Sequence, residues 1–295
     1  MKILLLGKNG QVGWELQRSL APLGEVIALD RHNGGDLSDL SALAETVQHI
    51  APAVIVNAAA HTAVDKAESE VELAMTLNAN APQLLAQQAK KLNATLIHYS
   101  TDYVFDGSGD AAWREDDAPA PLNVYGKSKL AGEQFIQQSG CRHLIFRTSW
   151  VYGARGGNFA KTMLRLAGER ASLSVINDQC GAPTGADLIA DVTAHALRTL
   201  QTRHELSGLY HLVANGVTTW YDYASLVIAV ARERGINLQV AQDAIHAVPS
   251  SAFATPAQRP LNSRLNTQKL QDTFNLTLPD WQLGVQRMLS ETLEK

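Results

Sequence analysis

Residues 2–13 of the chain read KILLLGKNGQVG, an apolar run followed at once by glycines at positions 7, 10 and 13. Glycine has no Cβ, so its backbone can turn tightly and let a ligand approach closely. Residues 11–20 have the pattern of a helix, whose N-terminus presents free N–H groups and a positive dipole end. A strand, a glycine turn and a helix in this order predict a seat for a dinucleotide pyrophosphate, although the spacing alone also fits a turn that binds nothing.

An acidic residue after the second predicted strand supports the dinucleotide interpretation. The apolar run 26–29 predicts that strand, and Asp30 follows it directly. In dinucleotide-binding folds an acid at this place binds the adenosine ribose and repels a 2′-phosphate, which favours NADH. Arg31 comes next and could accept that phosphate, so we expect NADH or NADPH to serve.

Composition excludes several classes of protein. The chain has 295 residues, 45% hydrophobic and 18% charged, which is ordinary for a soluble globular protein larger than one common domain. A net charge of −4 without a basic block gives no sign of nucleic-acid binding. No apolar stretch is long enough to span a membrane or to form a signal peptide. Cys141 and Cys180 are isolated, which favours a reducing cytoplasm, and no zinc-ligand spacing occurs.

Short apolar runs alternate with longer amphipathic segments in the first half of the chain. The predicted strands are 2–6, 26–29, 53–57, 94–100 and 143–147. The predicted helices are 11–20, 39–50, 68–92 with a break near Pro82, and 127–139. This alternation, with continuously apolar strands, predicts an α/β fold of the Rossmann type, a doubly wound parallel sheet with helices on both faces.

The pattern loosens after residue 147. The predicted elements there are helices at 158–171, 186–200, 219–234 and from Pro279 to about 293, a strand at 209–213, and a loop over 246–266. We expect a smaller C-terminal α/β substrate domain. The predicted dinucleotide-binding domain is 1–147 with returning segments at about 172–217, and the predicted substrate domain is 148–171 with about 218–295.

Two further segments carry side chains suited to catalysis. Residues 100–107 read STDYVFDG at a predicted strand end, where ligands collect in open parallel sheets. Residues 125–129 read YGKSK, and a helix would place Tyr125 and Lys129 on one face. A nearby ammonium should lower the phenol pKa from about 10 toward neutrality, making Tyr125 a proton donor or acceptor. Thr101 could bond the same substrate oxygen.

The order of these features resembles the extended, sugar-nucleotide branch of the short-chain dehydrogenase/reductase superfamily. Tyr-x-x-x-Lys alone also fits an exposed helix pair, but longer motifs are similar to the dTDP-4-dehydrorhamnose reductase family from residue 1 to about 290. These motifs are STDYVFDG at 100–107, YGKSKLAGE at 125–133, RTSWVYG at 147–153, NF at 158–159, DQCGAPT at 178–184 and RPLNSRL at 259–265. One departure is Leu6, where the superfamily often has threonine before the first glycine.

The resemblance implies a reaction. NADH or NADPH would deliver hydride to C4 of a 4-keto-6-deoxy sugar, giving dTDP-L-rhamnose, a precursor of O-antigen and other cell-envelope polysaccharides. Tyr125 would donate a proton to the forming alkoxide, and Thr101 would hydrogen-bond the reacting oxygen. Lys129 would hold the nicotinamide ribose and tune Tyr125.

The resemblance also implies binding residues. The cofactor set is Gly7, Gly10, Gln11, Val12, Gly13, Asp30, Asp36, Leu37, Ala60, His61, Thr62, Tyr99, Tyr125 and Lys129. The substrate set is Thr101, Asp102, Trp150 and Arg259, although Trp150 could instead be core and Arg259 a surface ion-pair partner. The family further implies a cytoplasmic homodimer with Mg²⁺, for which Asp187 and Glu291 are weak candidate ligands.

Two alternatives stay open at this point. A sugar-nucleotide dehydratase or epimerase shares the glycine turn and the Tyr-x-x-x-Lys pair. Dehydratase relatives place Asp-Glu after the threonine, whereas Asp102 is followed here by Tyr103, which favours reduction. A non-catalytic cofactor-binding subunit, such as the regulatory subunit of methionine adenosyltransferase, also resembles this branch. The intact Thr101, Tyr125 and Lys129 favour an enzyme.

Overall fold

The computed structural model describes residues 1–293 and is built around a parallel sheet of six strands. The strands are β1 (Lys2–Leu6), β2 (Glu25–Leu29), β3 (Val54–Asn57), β4 (Thr95–Thr101), β5 (Arg142–Thr148), β6 (Val151–Tyr152), β7 (Leu173–Ile176), β8 (Cys180–Gly181), β9 (Thr184–Gly185), β10 (Gly208–His211), β11 (Thr218–Thr219) and β12 (Ile245–Val248). Their order across the sheet is β10-β5-β4-β3-β1-β2, and all five pairings are parallel.

Helices cover both faces of this sheet. They are α1 (Gln11–Leu20), α2 (Leu40–Ile50), α3 (Val64–Ala67), α4 (Val71–Met75), α5 (Ala81–Leu92), α6 (Val124–Ser139), α7 (Phe159–Glu169), α8 (Ala186–Leu200), α9 (Trp220–Glu233), α10 (Gln268–Phe274) and α11 (Trp281–Leu293). Short 3₁₀ helices span Ala21–Leu23, Asp102–Val104, His204–Leu206 and Ser250–Ala252. Within residues 1–293 no helix is long and apolar enough to cross a membrane.

The apolar runs of the sequence form strands because both of their faces are buried. In β1, Ile3 and Leu5 pack in one cluster with residues of α1 and α8. Leu4 and Leu6 pack in another with residues of α2 and α5. A strand covered on both sides needs apolar residues at every position, which explains the absence of alternation. The predicted α/β class with a doubly wound parallel sheet is confirmed.

A second, smaller body forms from the later segments. β7 pairs with β12 in parallel, and their neighbours α7, α9 and α11 share a separate apolar cluster that includes Met163, Tyr223 and Val285. β10 instead joins the large sheet beside β5, and α8 packs against α1. The chain therefore crosses between the two bodies several times after β5.

Some elements differ from the sequence predictions. The predicted helix 68–92 is three pieces, because a π-helix at Thr76–Asn80 separates α4 from α5 and Pro82 lies in the first turn of α5. The predicted loop 246–266 contains most of β12, whose strand is defined by its pairing with β7. Helix α10 was not predicted, since its seven residues are too few to reveal a period.

Candidate functional site

The glycine turn lies where the strand order of the sheet reverses. β1 has β2 on one side and β3 on the other, and ligands of such sheets bind at the carboxyl ends of the strands at this point. Gly7 has a φ of +86°, and a Cβ there would lie 2.8 Å from the backbone of Ala58, just after β3. A Cβ on Gly13 would lie 2.1 Å from the Gly7 carbonyl oxygen. Only glycine fits at either position, so the backbone forms a cradle of the kind a pyrophosphate needs.

Helix α1 opens toward this cradle. Gly10 is its N-cap and provides no side-chain cap, which leaves the first N–H groups, those of Gln11, Val12 and Gly13, available to a phosphate. The Gln11 side chain accepts a hydrogen bond from Asn158 Nδ2 at 3.2 Å, across 147 residues of sequence. Asn158 in turn caps α7, so the cradle is tied to the second body.

Asp30 lies directly after β2, as predicted, and its carboxylate faces the glycine turn. It accepts hydrogen bonds from the His32 backbone at 2.9 Å and from Asn9 Nδ2 at 2.7 Å, and Lys8 Nζ lies 3.5 Å away. The His32 N–H, followed by the Lys8 and Asn9 side chains, lowers the pKa of Asp30, so the carboxylate is charged at neutral pH. Lys8 was not predicted as a partner of this carboxylate.

The two residues predicted beside the adenine lie in different surroundings. The Asp36 carboxylate accepts hydrogen bonds from the Ser38 backbone at 2.9 Å and hydroxyl at 2.7 Å, at the surface. Leu37 is 4% exposed and packs in the core with Leu4 and Leu43. The Leu37 side chain therefore anchors this loop to the core.

The segment from Ala60 to Thr62 is held by a residue that the sequence did not reveal. The Asn78 side chain accepts from the His61 N–H at 2.8 Å and donates to the His61 carbonyl at 3.0 Å. It also donates to Ser128 Oγ on α6 at 3.0 Å. Asn78 is fully buried within the π-helix, a distortion frequent at functional sites and invisible to a helical period. Ala60 is partly buried and Thr62 is exposed.

The end of β4 carries a buried hydroxyl and carboxyl side by side. Thr101 Oγ1 donates to Asp102 Oδ1 at 3.1 Å and accepts from the Tyr103 N–H at 3.2 Å, which caps the 3₁₀ turn that follows. Thr101 is 5% exposed and Asp102 is 2% exposed. Burial raises the pKa of Asp102 to about 6, and the hydroxyls of Ser263 and Thr101 work in the opposite direction.

Tyr125 is brought to Thr101 by a close approach of α6 to the turn after β4. Asn123 caps this helix through a 2.8 Å bond from the Gly126 N–H. A Cβ on Gly126 would lie 2.2 Å from the Tyr103 carbonyl oxygen, so glycine allows the contact. The Tyr125 and Tyr103 rings meet edge to face, 5.5 Å apart. The helix begins at Val124, three residues earlier than predicted, which puts Tyr125 in its first turn.

The predicted effect of Lys129 on Tyr125 is wrong in this structure. Burial raises the pKa of Tyr125 to about 12, and a hydrogen bond with Thr101 is the influence that lowers it. Lys129 Nζ instead donates to the Tyr99 carbonyl at 2.6 Å. Tyr125 is consequently a protonated phenol at neutral pH, which is the form that a proton donor requires.

Lys129 contacts a second residue that the sequence did not reveal. Its Nζ lies 3.2 Å from Nε2 of His98, whose Nδ1 lies 3.3 Å from Asn57 Nδ2. Burial lowers the pKa of Lys129 to about 8, and burial followed by the charge of Lys129 lowers the pKa of His98 well below its usual value. The neutral imidazole therefore sets the position of the ammonium. His98 was hidden in an apolar strand.

Tyr99 reaches the site only through its backbone. Its hydroxyl lies 2.9 Å from Thr193 Oγ1 on α8, and its ring stacks on Phe146 in the core. Side chains alternate along a strand, so Tyr99 faces the opposite side from His98. A side-chain contact of Tyr99 with the cofactor is thus excluded in this conformation, while its carbonyl bonds Lys129.

Trp150 is neither plain core nor freely exposed. It has a φ of +47°, unusual for a bulky residue, and its indole stacks on Trp220 with ring centroids 3.6 Å apart. A Cβ on Gly181 would lie 2.9 Å from the Trp150 ring, so that edge is also packed. Trp220 Nε1 donates to Gln179 at 3.0 Å. The pair is positioned by packing on several sides.

A cavity of about 700 Å³ opens beside this pair. Trp220 and Phe159 form part of its apolar wall, and Tyr103 links it to Tyr125. Arg259 lies at its edge and donates to Asp65 Oδ2 at 2.7 Å, so the predicted ion-pair alternative for Arg259 is present in the structure. Its volume is in the range of small-molecule sites.

The weak metal candidates do not form a metal site within one chain. Asp187 and Glu291 both face the guanidinium of Arg287, at 3.7 and 3.4 Å. A cation already lies between the two carboxylates, which does not suit Mg²⁺. Over residues 1–293 no group of three or more histidine, cysteine, aspartate or glutamate side chains is placed to hold a metal.

Comparisons with known proteins agree along the whole chain. A family model described as "RmlD substrate binding domain" matches residues 1–294. A dTDP-4-dehydrorhamnose reductase of Shigella flexneri is 63% identical over 294 residues, 99% of this chain and 98% of that protein. The protein of the same name from Escherichia coli strain K12 is 62% identical with the same coverage.

Solved structures give the same result. A dTDP-4-dehydrorhamnose reductase from Bacillus anthracis, in complex with NADP, superimposes with a TM-score of 0.88 at 34% identity, covering 99% of both chains. One from Clostridium acetobutylicum has a TM-score of 0.88 at 33% identity, covering 98% of this chain and 99% of the other.

Proposed function

This chain belongs to the RmlD substrate binding domain family, and we propose that Thr101, Tyr125 and Lys129 carry out its reaction. The protein is an NAD(P)H-dependent dTDP-4-dehydrorhamnose reductase, as its relatives at 62–63% identity are named. It reduces the C4 keto group of dTDP-4-dehydro-L-rhamnose to give dTDP-L-rhamnose. The bound dinucleotide supplies the hydride.

The observation that carries the residue assignment is the convergence of Tyr125 on Thr101. Negative charge develops on the sugar O4 as hydride arrives, and a donor placed there stabilises it. Tyr125, with its pKa raised to about 12, holds a proton at neutral pH and donates it to O4. The Thr101 hydroxyl hydrogen-bonds the same oxygen and orients the phenol. Lys129, held by the Tyr99 carbonyl and His98, presents its ammonium to the nicotinamide ribose.

The cofactor contacts follow from the cradle described above. The N–H groups of Gln11, Val12 and Gly13 bind the pyrophosphate, and the glycines at 7 and 13 leave room for it. Asp30 accepts from the hydroxyls of the adenosine ribose. Lys8 and Arg31 beside Asp30 supply positive charge for a 2′-phosphate, which supports use of NADPH as well as NADH.

The 700 Å³ cavity is the proposed seat of the dTDP part of the substrate. Its aromatic walls suit a pyrimidine base, and Arg259 at its edge suits a phosphate. The Asp65 carboxylate must share Arg259 with that phosphate, since it already bonds the guanidinium. Trp150 and Asp102 lie toward the sugar end of the cavity through Trp220 and Tyr103.

The same geometry disfavours dehydration. Dehydratase relatives carry a second acid after the threonine–aspartate pair, and this chain has Tyr103 there. Burial, followed by the charge of Asp102, raises the pKa of Tyr103, so its phenol cannot act as a base at neutral pH. An epimerase and a non-catalytic subunit remain the alternatives that the assay below excludes.

The test is oxidation of NADPH and of NADH, followed by the loss of reduced-nicotinamide absorbance. dTDP-4-dehydro-L-rhamnose should be turned over, and the UDP and GDP analogues should be poorer substrates. Incubation of dTDP-glucose with NAD⁺ should yield no 4-keto sugar. Absence of turnover with all three keto sugars, together with cofactor binding, would identify a non-catalytic subunit.

Three wider features remain proposals. A cofactor-binding part of 1–147 with 172–217 and a substrate part of 148–171 with 218–295 is supported by β10 in the large sheet, but β7 pairs with β12 and α10 contacts α8. We therefore shift Leu173–Ile176 to the substrate part and Gln268–Phe274 to the cofactor part. Two free cysteines suit a cytoplasmic location. A homodimer is tested by sedimentation with and without Mg²⁺.

A further inference from the structure

Tyr125 must recover a proton after every turnover, and a second acid lies within two hydrogen bonds of it. Tyr125 hydrogen-bonds Thr101, and Thr101 Oγ1 donates to Asp102 Oδ1 at 3.1 Å. The order of residues along the chain of bonds is thus phenol, hydroxyl, carboxyl. A hydroxyl is both donor and acceptor, so Thr101 can receive a proton on one side while it releases one on the other.

We propose that Asp102 restores the proton of Tyr125 through the Thr101 hydroxyl. This inference rests on the proposed reductase function and adds a residue to its proton path. The Tyr125 O–H bond breaks as the O4–H bond of the product forms. Thr101 then gives its hydrogen to the phenolate, and the Asp102 carboxylic acid gives its hydrogen to Thr101 Oγ1. The Asp102 carboxylate recovers a proton from solvent, so one proton is consumed for each hydride.

The surroundings of Asp102 favour a carboxyl group that holds a proton for part of the time. It is 2% exposed, and its Oδ2 has no hydrogen-bond partner within residues 1–293. A charged carboxylate with an unpartnered oxygen is costly to bury, whereas a neutral acid is not. The raised pKa, about 6, agrees with this, and it makes Asp102 a much stronger acid than the Tyr125 phenol. Transfer toward the phenolate is therefore downhill.

Other titratable groups around Asp102 are less suited to this role. Tyr103 and Tyr125 sense its charge, and both hold their protons at neutral pH because burial raises the pKa of each phenol. Arg259 acts on Tyr103 and carries a permanent positive charge. Lys129 is directed to the Tyr99 carbonyl, so it titrates separately, with a pKa of about 8.

The test is the pH dependence of kcat for the full enzyme with dTDP-4-dehydro-L-rhamnose and saturating NADPH. Only the protonated acid can donate, so wild-type kcat should fall as the pH rises above about 6. Asp102→Asn keeps the shape of the side chain and an acceptor for Thr101 but has no proton to give. It should lower kcat at least tenfold at pH 6, leave KM within threefold, and abolish the limb near pH 6.

Asp106→Asn is the matched control, because this carboxylate bonds the Ser108 N–H at the surface four residues away. It should keep the wild-type profile. If Asp102→Asn fails to fold, Thr101→Ser should keep the limb and Thr101→Val should lose it. A limb near pH 6 that persists in Asp102→Asn or Thr101→Val, or a raised KM with unchanged kcat in Asp102→Asn, would overturn the relay and leave only a sugar contact. An inactive wild type would instead refute the reductase function itself.

Discussion

The Tyr103 carbonyl oxygen lies so close to Gly126 that a Cβ on this glycine would be 2.2 Å from it. This contact sets the distance between helix α6 and the turn after β4. Because Tyr125 precedes Gly126 and Thr101 begins that turn, the same contact holds the two reactive hydroxyls together. Backbone packing, and not a side-chain bond, determines the geometry of the reaction site.

Adding one methyl group at Gly126 should therefore damage catalysis. Gly126→Ala should lower kcat about tenfold or more and destabilise the fold by about 1–3 kcal/mol, the usual cost of overpacking. Gly168→Ala is the control, since a Cβ there meets no atom within 4 Å inside α7. It should keep full activity and gain up to about 1 kcal/mol from helix propensity. Equal activities for the two variants would mean that α6 is not held by this contact.

Removing the Tyr125 hydroxyl should remove the proton donor. Tyr125→Phe should lower kcat at least about a hundredfold, which is typical of losing a general acid. NADPH affinity, measured by fluorescence titration, should change little because the phenol acts on the sugar oxygen. A turnover close to that of the wild type would assign the proton to another group.

Asp30 should control the choice between the two cofactors. Asp30→Ala removes the acceptor for the ribose hydroxyls, so KM for NADH should rise about tenfold, the value of roughly one charged hydrogen bond. KM for NADPH should change less, since Lys8, now 3.5 Å from the carboxylate, would be free to meet the 2′-phosphate. Steady-state kinetics with both cofactors measures the ratio, and an equal change in both would exclude the ribose contact.

Trp150 should act on the sugar nucleotide alone. Trp150→Ala removes an aromatic surface beside the cavity, and dTDP-L-rhamnose affinity should fall about tenfold, as expected for about 1.4 kcal/mol. Calorimetry with NADPH on the same variant provides the internal control and should give an unchanged dissociation constant. A variant that binds the sugar nucleotide normally would return Trp150 to a packing role with Trp220.

Buried histidines should make stability depend on pH. Burial, with the charge of Arg147, lowers the pKa of His211 to about 3, whereas in the unfolded chain it is about 6.5. The unfolded state binds the extra proton between these values, so stability is present above pH 6.5 and is lost as pH falls. Between pH 7 and 5 the wild type should lose about 2 kcal/mol more than His211→Gln in urea unfolding. His246→Gln, at an exposed site, should follow the wild type.

Local sequence patterns were sufficient for the large sheet. Residues 2–6 and 11–20 were placed as strand and helix with the bounds that the structure has. Strands buried on both faces leave a signal that depends only on neighbouring residues. The same holds for the spacing of Tyr125 and Lys129, which a single helix fixes. Motif resemblance then identified the family, because long motifs carry information that no periodicity contains.

The sequence by itself thus determined the fold class, the family and the identity of the reactive side chains. The tertiary structure alone decided how they are held. Asn78, His98 and Trp220 acquire their roles from partners on other elements, and Trp150 meets Trp220 across 70 positions of the chain. It also decided that burial would raise the pKa of Tyr125 and Asp102. Desolvation and contacts of this kind arise only when distant segments pack together, so a local pattern cannot record them.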